Sequence, residues 1–327
     1  MKKLLIISVI FICIFSDRVI SADITYIDDQ FFRIGVGGRA MSMGEAFVGL
    51  ANDGTAAYWN PAGICSVNKN EIDIMYGQSE SSYTGLVMDL GKVSLGLSLQ
   101  QIKTPDNLGW GSSVSYSAEL LTLAYRLNPK LSIGINAKYL WIEYFEGSGM
   151  DDTGFDLGLI YRTNPSMSED SGSCFSAGIV ARDIVSNGFW SNSPHFYLNI
   201  PGNSKNYNYI DDQTQFAIVI PAEFTGGISY TTKEIKYIHS LTFTLDIGII
   251  LSEYALKGGA EMYITKNILI SGGIKRIGNS TYTSYGGGIK LSKNAEINYA
   301  CYNITLTWPY YDPLSSLQLM SLKVNFE

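Results

Sequence analysis

From residue 71 to its end, the chain alternates apolar and polar side chains residue by residue, in stretches often ten or more residues long. Val93, Leu95, Leu97 and Leu99 share one face, and Ser94, Gly96, Ser98 and Gln100 the other. Leu131, Ile133, Ile135, Ala137, Tyr139 and Trp141 alternate with Ser132, Gly134, Asn136 and Lys138, and Leu241 to Ile249 alternate with Thr242, Thr244, Asp246 and Gly248. Only an extended strand puts every second side chain on the same face. The pattern therefore predicts strand after strand, separated by turns rich in Gly, Asn, Asp, Ser and Pro.

The charged residues sort onto one face. Lys138, Asp156, Arg182, Asp246, Lys257, Glu261, Lys275, Lys290 and Lys323 all fall on the polar side, while Glu143 and Arg276 fall at strand ends. A Lys or Arg facing lipid at mid-bilayer costs roughly 2–4 kcal/mol, so a barrel in a membrane must keep its outer face free of charge. A soluble sandwich also alternates. Strand length, the charge-free face and aromatics placed near strand ends (Tyr139, Trp141, Tyr161, Tyr230, Tyr285) favour the membrane.

The expected fold is all-β: a transmembrane antiparallel β-barrel of about fourteen strands over 71–327, with an N-terminal plug in its lumen. An even count returns both ends to the periplasm. Gly91-Lys92, Asn128-Pro129-Lys130, Thr265-Lys266-Asn267 and Ser292-Lys293-Asn294 read as the tight periplasmic turns. The alternate connections, 104–111, 146–152, 184–213 and 303–315, read as longer, and a barrel strand is expected over 214–231. Two connections, 163–172 and 231–237, are long for periplasmic turns.

Residues 1–22 read as a signal peptide: Lys2 and Lys3, an apolar Leu4–Phe15, then Ser21 and Ala22 before Asp23. The mature chain is thus expected in the bacterial outer membrane. No run of some 18 apolar residues follows, which argues against a helical membrane protein. Cys65, Cys174 and Cys301 cannot all pair within one chain, so no disulfide framework is implied. With a net charge of −7 and no Lys/Arg cluster, a nucleic-acid partner is excluded. The two histidines, His195 and His239, lie far apart, and no phosphate-binding loop or nucleophile set occurs. No metal, cofactor or enzymatic activity is expected.

Residues 23–70 are irregular and rich in small residues, as a chain packed inside a crowded lumen must be. Pro61 fixes its own φ and holds Asn60 extended, so Asn60-Pro61-Ala62-Gly63 forces a turn. Arg39, Asp53 and Asn60 can bond to backbone or to side chains of the wall. Glu223, Asp246, Lys257 and Glu261 read as a solvated or paired lumen, and Gly286-Gly287-Gly288 as glycines that let the barrel curve.

The dense stretch Gly38, Arg39, Ala40, Met43, Gly44, Ala46, Phe47, Asp53, Asn60, Pro61, Ala62 and Gly63 resembles the amino-terminal hatch of the FadL and PorV/PorQ outer-membrane families. Ile220-Pro221-Ala222-Glu223 with Gly227 and Tyr230 resembles a mid-barrel strand of the same families. The resemblance implies a hatch-gated transporter of hydrophobic small molecules, such as long-chain fatty acids, with outer-membrane lipids and the barrel-assembly machinery as partners. PorV-like relatives imply instead a non-transporting scaffold for a secretion partner, and a general porin is the third reading. Phe189, Trp190, Phe196 and Tyr197, on one long loop, are candidates for catching an apolar ligand.

Overall fold

The computed structural model describes residues 34–78, 80–103, 115–145, 148–164, 173–184, 189–190, 217–218, 222–235, 238–250, 253–305 and 316–326. The signal-like segment, Phe196 and Tyr197 lie outside these residues.

Fourteen strands close into one antiparallel barrel. In chain order they are β1 (Asn70–Gly77), β2 (Ser82–Asp89), β3 (Val93–Lys103), β4 (Ser115–Asn128), β5 (Leu131–Phe145), β6 (Ser148–Arg162), β7 (Cys174–Arg182), β10 (Glu223–Ile235), β11 (Ile238–Ile250), β12 (Glu253–Tyr263), β13 (Ile268–Ile277), β14 (Ser280–Lys290), β15 (Ala295–Thr305) and β16 (Ser316–Phe326). Two short strands, β8 (Phe189–Trp190) and β9 (Ala217–Ile218), pair only with each other, within the connection from β7 to β10. Among the barrel strands each one pairs with its neighbour in sequence, and β1 closes on β16, with Asn70 opposite Phe326. Both ends of the barrel chain therefore lie at the same rim.

The alternation decides which way each side chain points. Outward residues such as Leu97, Leu121, Ile135, Leu157, Ile247 and Ile270 are exposed, and their strand neighbours are buried inside. A closed barrel leaves no unpaired strand edge, which is what a backbone crossing lipid requires.

Four details differ from the sequence reading. The strand expected over 214–231 starts at Glu223 and runs to Ile235, with Ala217–Ile218 set apart in the small sheet. Pro221 lacks an N–H to give to a ladder, so the start beyond it is physically natural. Ile235 then pairs with Ile238, and the supposed long connection over 231–237 is a tight turn. Likewise 146–152 is no long loop, because β5 and β6 pair up to Phe145 and Ser148. Among the girdle aromatics, Tyr230 and Tyr285 face outward but sit midway along β10 and β14 rather than near their ends.

Inside the barrel lies the segment 34–69. It forms two short helices, α1 (Gly38–Ser42) and α2 (Ala56–Trp59), and a 3-10 turn over Pro61–Ser66. Phe47, Trp59, Met41, Met43 and Ile64 are its fully buried side chains. Phe47 meets the edge of Trp59 at 6.2 Å between ring centroids. Burial of each such side chain contributes about 1.5–3 kcal/mol, so the plug has an apolar core of its own.

Candidate functional site

The plug is joined to the wall through its main chain. Extended Asn60 (φ −160, ψ 108) caps the 3-10 turn that Pro61 opens, its side-chain oxygen accepting from the Ala62 N–H. Its side-chain amide donates to the carbonyls of Val48 (3.2 Å), Leu159 (3.1 Å) and Ile179 (3.4 Å), tying two plug segments to β6 and β7. Gly63 closes the turn by donating to the Asn60 carbonyl at 2.7 Å. Pro61, Ala62 and Gly63 are all buried.

Arg39 forms a two-point bond to Glu261 on β12, Nε to Oε2 at 2.7 Å and Nη2 to Oε1 at 2.6 Å. Its Nη1 also reaches Asn52 (2.7 Å) and Asp53 (3.2 Å). Burial alone lowers the guanidinium pKa, but Glu261 and Asp53 outweigh it and the net shift is upward, so the cation is fixed. Asp53 in turn accepts from the Thr55 N–H at 3.1 Å and the Thr55 hydroxyl at 2.5 Å. Gly38 donates its N–H to Ser321 Oγ (3.0 Å), and Gly44, at φ +65, donates to Ser284 Oγ (2.8 Å).

The lumen charges anticipated from sequence are buried and paired rather than solvated. Asp246 accepts from the Val48 N–H at 2.8 Å. Lys257 lies 3.7 Å from Glu45 and 5.7 Å from the Trp59 ring. Glu223 pairs with Arg182 at 3.3 Å. Arg182 also donates to the Trp59 carbonyl at 3.2 Å and stacks over Tyr58. Of the proposed capture residues, Phe189 and Trp190 form β8.

Other anchors escaped the sequence reading. Asn136 donates to the Ala57 carbonyl at 2.8 Å, Arg162 to those of Leu50 (2.6 Å) and Ala51 (3.0 Å), and Ser176 to that of Gly49 (2.6 Å). Lys275 binds Glu45 at 2.7 Å. Glycine is the other missed signal. Gly134, Gly158, Gly178, Gly227, Gly259, Gly273 and Gly286 all face inward, and a Cβ on any of them would strike the plug. Gly286, read from sequence as a source of curvature, also lies close to Ser42 of the plug and to the Tyr299 carbonyl of β15. At these seven positions the wall is thinned to backbone where the plug presses against it. Cys65, Cys174 and Cys301 are buried and free, and burial pushes the Cys65 thiol pKa up.

Towards the rim away from the chain ends, the inward face changes character. Ser132, Asn136 and Lys138 on β5 give way to Leu140 and Ile142, and Thr122 on β4 to Leu120 and Tyr116. Ile102 ends β3, Ile250 ends β11, and Leu319 and Leu317 succeed Ser321 on β16. Plug residues Ile34, Tyr58 and Trp59 lie at this junction, where Gln100 donates to the Ile34 carbonyl at 2.8 Å. Outside, β3 to β6 reverse in the opposite sense. Along one register row Leu99 faces Glu119, Glu119 faces Tyr139 and Tyr139 faces Thr153; the next row holds Gln101, Ser117, Trp141 and Asp151. Towards this rim these strands thus carry a more polar exterior, and inside, Gln100 and the buried Asp152 opposite Leu140 remain among the apolar side chains.

Comparison with solved structures matches this fold. The CymD monoaromatic hydrocarbon channel superposes with a TM-score of 0.60 at 13% identity, over 90% of this chain and 98% of that one. The Pseudomonas putida toluene transporter TodX gives 0.55 at 10% identity over 89% and 98%. A Pseudomonas aeruginosa FadL homologue gives 0.53 at 10% identity, again over 89% and 98%. The chain has the fold of the FadL-type channels. Sequence comparison finds no family model that matches the chain and no matching curated protein. At such identities the likeness shows the fold alone.

Proposed function

We propose that the protein is an outer-membrane channel for hydrophobic small molecules, with long-chain fatty acids among the candidate solutes. The observation that carries this reading is the turn of the inner wall from polar to apolar above the plug on β4, β5, β11 and β16, where Leu120, Tyr116, Leu140, Ile142, Ile250, Leu319 and Leu317 face inward. Such a lining offers an apolar molecule a better environment than water, by about 25 cal/mol for each Å² removed from solvent. It rewards a hydrated sugar or ion with nothing. The names of the solved channels that share the fold point the same way. Solute then moves past a locally displaced edge of the plug, with Arg39, Asp53 and the Asn60–Gly63 turn holding the remainder in place.

The test is uptake by cells that lack their own channel for such solutes and express the full chain. Labelled oleate and toluene are compared with a labelled disaccharide. Entry of the apolar solutes above the vector-only level, without the sugar, is expected. Sugar entry would point to an open porin. No gain for any solute would refute transport and leave the secretion-scaffold reading.

A further inference from the structure

Among the described residues, the exposed charges are mainly basic at one rim and mainly acidic at the other. At the rim where the barrel chain starts and ends, tight turns carry Lys92, Lys130, Lys266 and Lys293, and Lys69 precedes β1; all five are exposed. Strand order puts them on one arc running from β12 through β16 and β1 to β5. Lys69 Nζ lies 3.4 Å from Asn294 in the neighbouring turn, so the arc is continuous. Among the described residues none of the five has a carboxylate partner. The rest of this rim differs: Glu169 and Asp170 lie in the β6–β7 connection, and Lys233, Glu234 and Lys236 around the β10–β11 turn. The opposite rim exposes Glu80, Glu119, Glu143, Asp151 and Glu253 against Lys103 and Arg276.

Each turn lysine also follows an exposed apolar residue by two or three positions: Leu90 (62% exposed) before Lys92, Leu127 (50%) before Lys130, Ile264 (41%) before Lys266 and Leu291 (61%) before Lys293. An apolar side chain among acyl tails, followed at once by a long cationic one, is the arrangement by which lysine reaches from hydrocarbon to head groups. We propose that this arc is a seat for anionic glycerophospholipids of the phosphatidylglycerol type, held by their phosphates in the leaflet around that rim. The exposed apolar residue beside each of the four turn lysines favours lipid over a protein partner, which would need charge on the turn tips alone. This inference rests on the membrane-channel reading above.

The test reconstitutes the full chain into phosphatidylcholine vesicles containing a minority of phosphatidylglycerol. Insertion is checked by the heat-dependent change in gel mobility, and retained lipids are then identified by native mass spectrometry. A lysine at an anionic surface corresponds to roughly fivefold in occupancy. The wild type is expected to enrich phosphatidylglycerol about that much over phosphatidylcholine. The variant K92Q/K130Q/K266Q/K293Q loses the enrichment, and K103Q/R276Q at the other rim keeps it. Excess inorganic phosphate at matched ionic strength leaves the ratio unchanged; its collapse would mean a free-phosphate site and overturn the lipid seat. Single variants Lys92→Gln and Lys266→Gln each lower the ratio even where the fourfold variant fails to fold. Equal ratios in wild type and single variants overturn the proposal and leave the lysines to an acidic protein. Failure of the wild type to insert refutes the membrane reading itself.

Discussion

Gly49 is the sharpest probe of how closely plug and wall approach. It lies on the plug against β10, and a Cβ built there would stand 2.6 Å from the Gly227 carbonyl carbon and 2.7 Å from both the Gly227 oxygen and the Ile228 nitrogen. All three atoms are backbone, so no side chain can swing aside. Ordinary contact begins near 3.4 Å, and the mismatch is roughly 0.8 Å. Overpacking of this kind costs about 1–3 kcal/mol. Relief requires that the plug edge lift, weakening the bonds from Ser176 to the Gly49 carbonyl (2.6 Å) and from Val48 to Asp246 (2.8 Å), each worth about 1 kcal/mol. Gly49→Ala is therefore expected to lower the unfolding midpoint and to open an ion leak in planar bilayers. Gly226→Ala and Gly258→Ala, whose new methyls would lie 3.8 Å and 3.9 Å from the nearest side-chain carbon, should do neither. If Gly49→Ala and Gly49→Val both match the wild type in midpoint and conductance, the direct backbone contact is refuted.

Other perturbations separate the remaining roles. Arg39→Met strands buried Glu261 and is expected to cost about 3–5 kcal/mol in denaturant unfolding, with Glu261→Gln in the same chain recovering part of it. Asn60→Ala removes three donor contacts and should cost about 1–3 kcal/mol, seen as faster hydrogen exchange over 48–65 with the barrel strands little changed. Leu140→Glu puts a charge in the apolar upper lumen and should cut uptake of apolar solutes roughly tenfold, whereas Thr153→Glu on the polar exterior should not. Leu97→Lys, within the lipid-facing band, should cost about 2–4 kcal/mol in membrane insertion, and Leu90→Lys at the rim about 0–1.

The barrel was readable because a strand in lipid carries its instructions locally. Val93 to Gln100 states its own two faces, and charge on the wrong one is costly enough to be excluded. The plug's placement was half readable. Pro61 dictates an extended Asn60 from neighbouring residues alone, but the bonds from Asn60 to Leu159 and Ile179 join positions about a hundred residues apart and leave no mark on spacing. The upper lumen was legible yet missed. Tyr139-Leu140-Trp141-Ile142 keeps a large apolar side chain on both faces where the wall leaves the membrane, so simple alternation loses its contrast there. The glycine belt failed for a different reason. Gly134 and Gly273 look like weak strand residues until the register shows Gly134 beside Gly158 and Gly273 beside Gly259, each pair lying under the plug.

That belt, with the anchors around it, limits how a passage can open. Wall side chains satisfy the plug's main chain at Gly38, Gly44, Val48, Gly49, Leu50, Ala51, Ala57 and Trp59. Lifting the plug out whole would break about ten such bonds at roughly 1 kcal/mol each, besides exposing buried Glu261 and Asp246. Ten kcal/mol sets the open population near one in ten million, too small for steady solute flux. A local opening that releases two or three bonds costs about 2–3 kcal/mol and is populated near one part in a hundred. Movement at one edge of the plug, next to the apolar side chains of the upper wall, is therefore the kind of gate this wall permits.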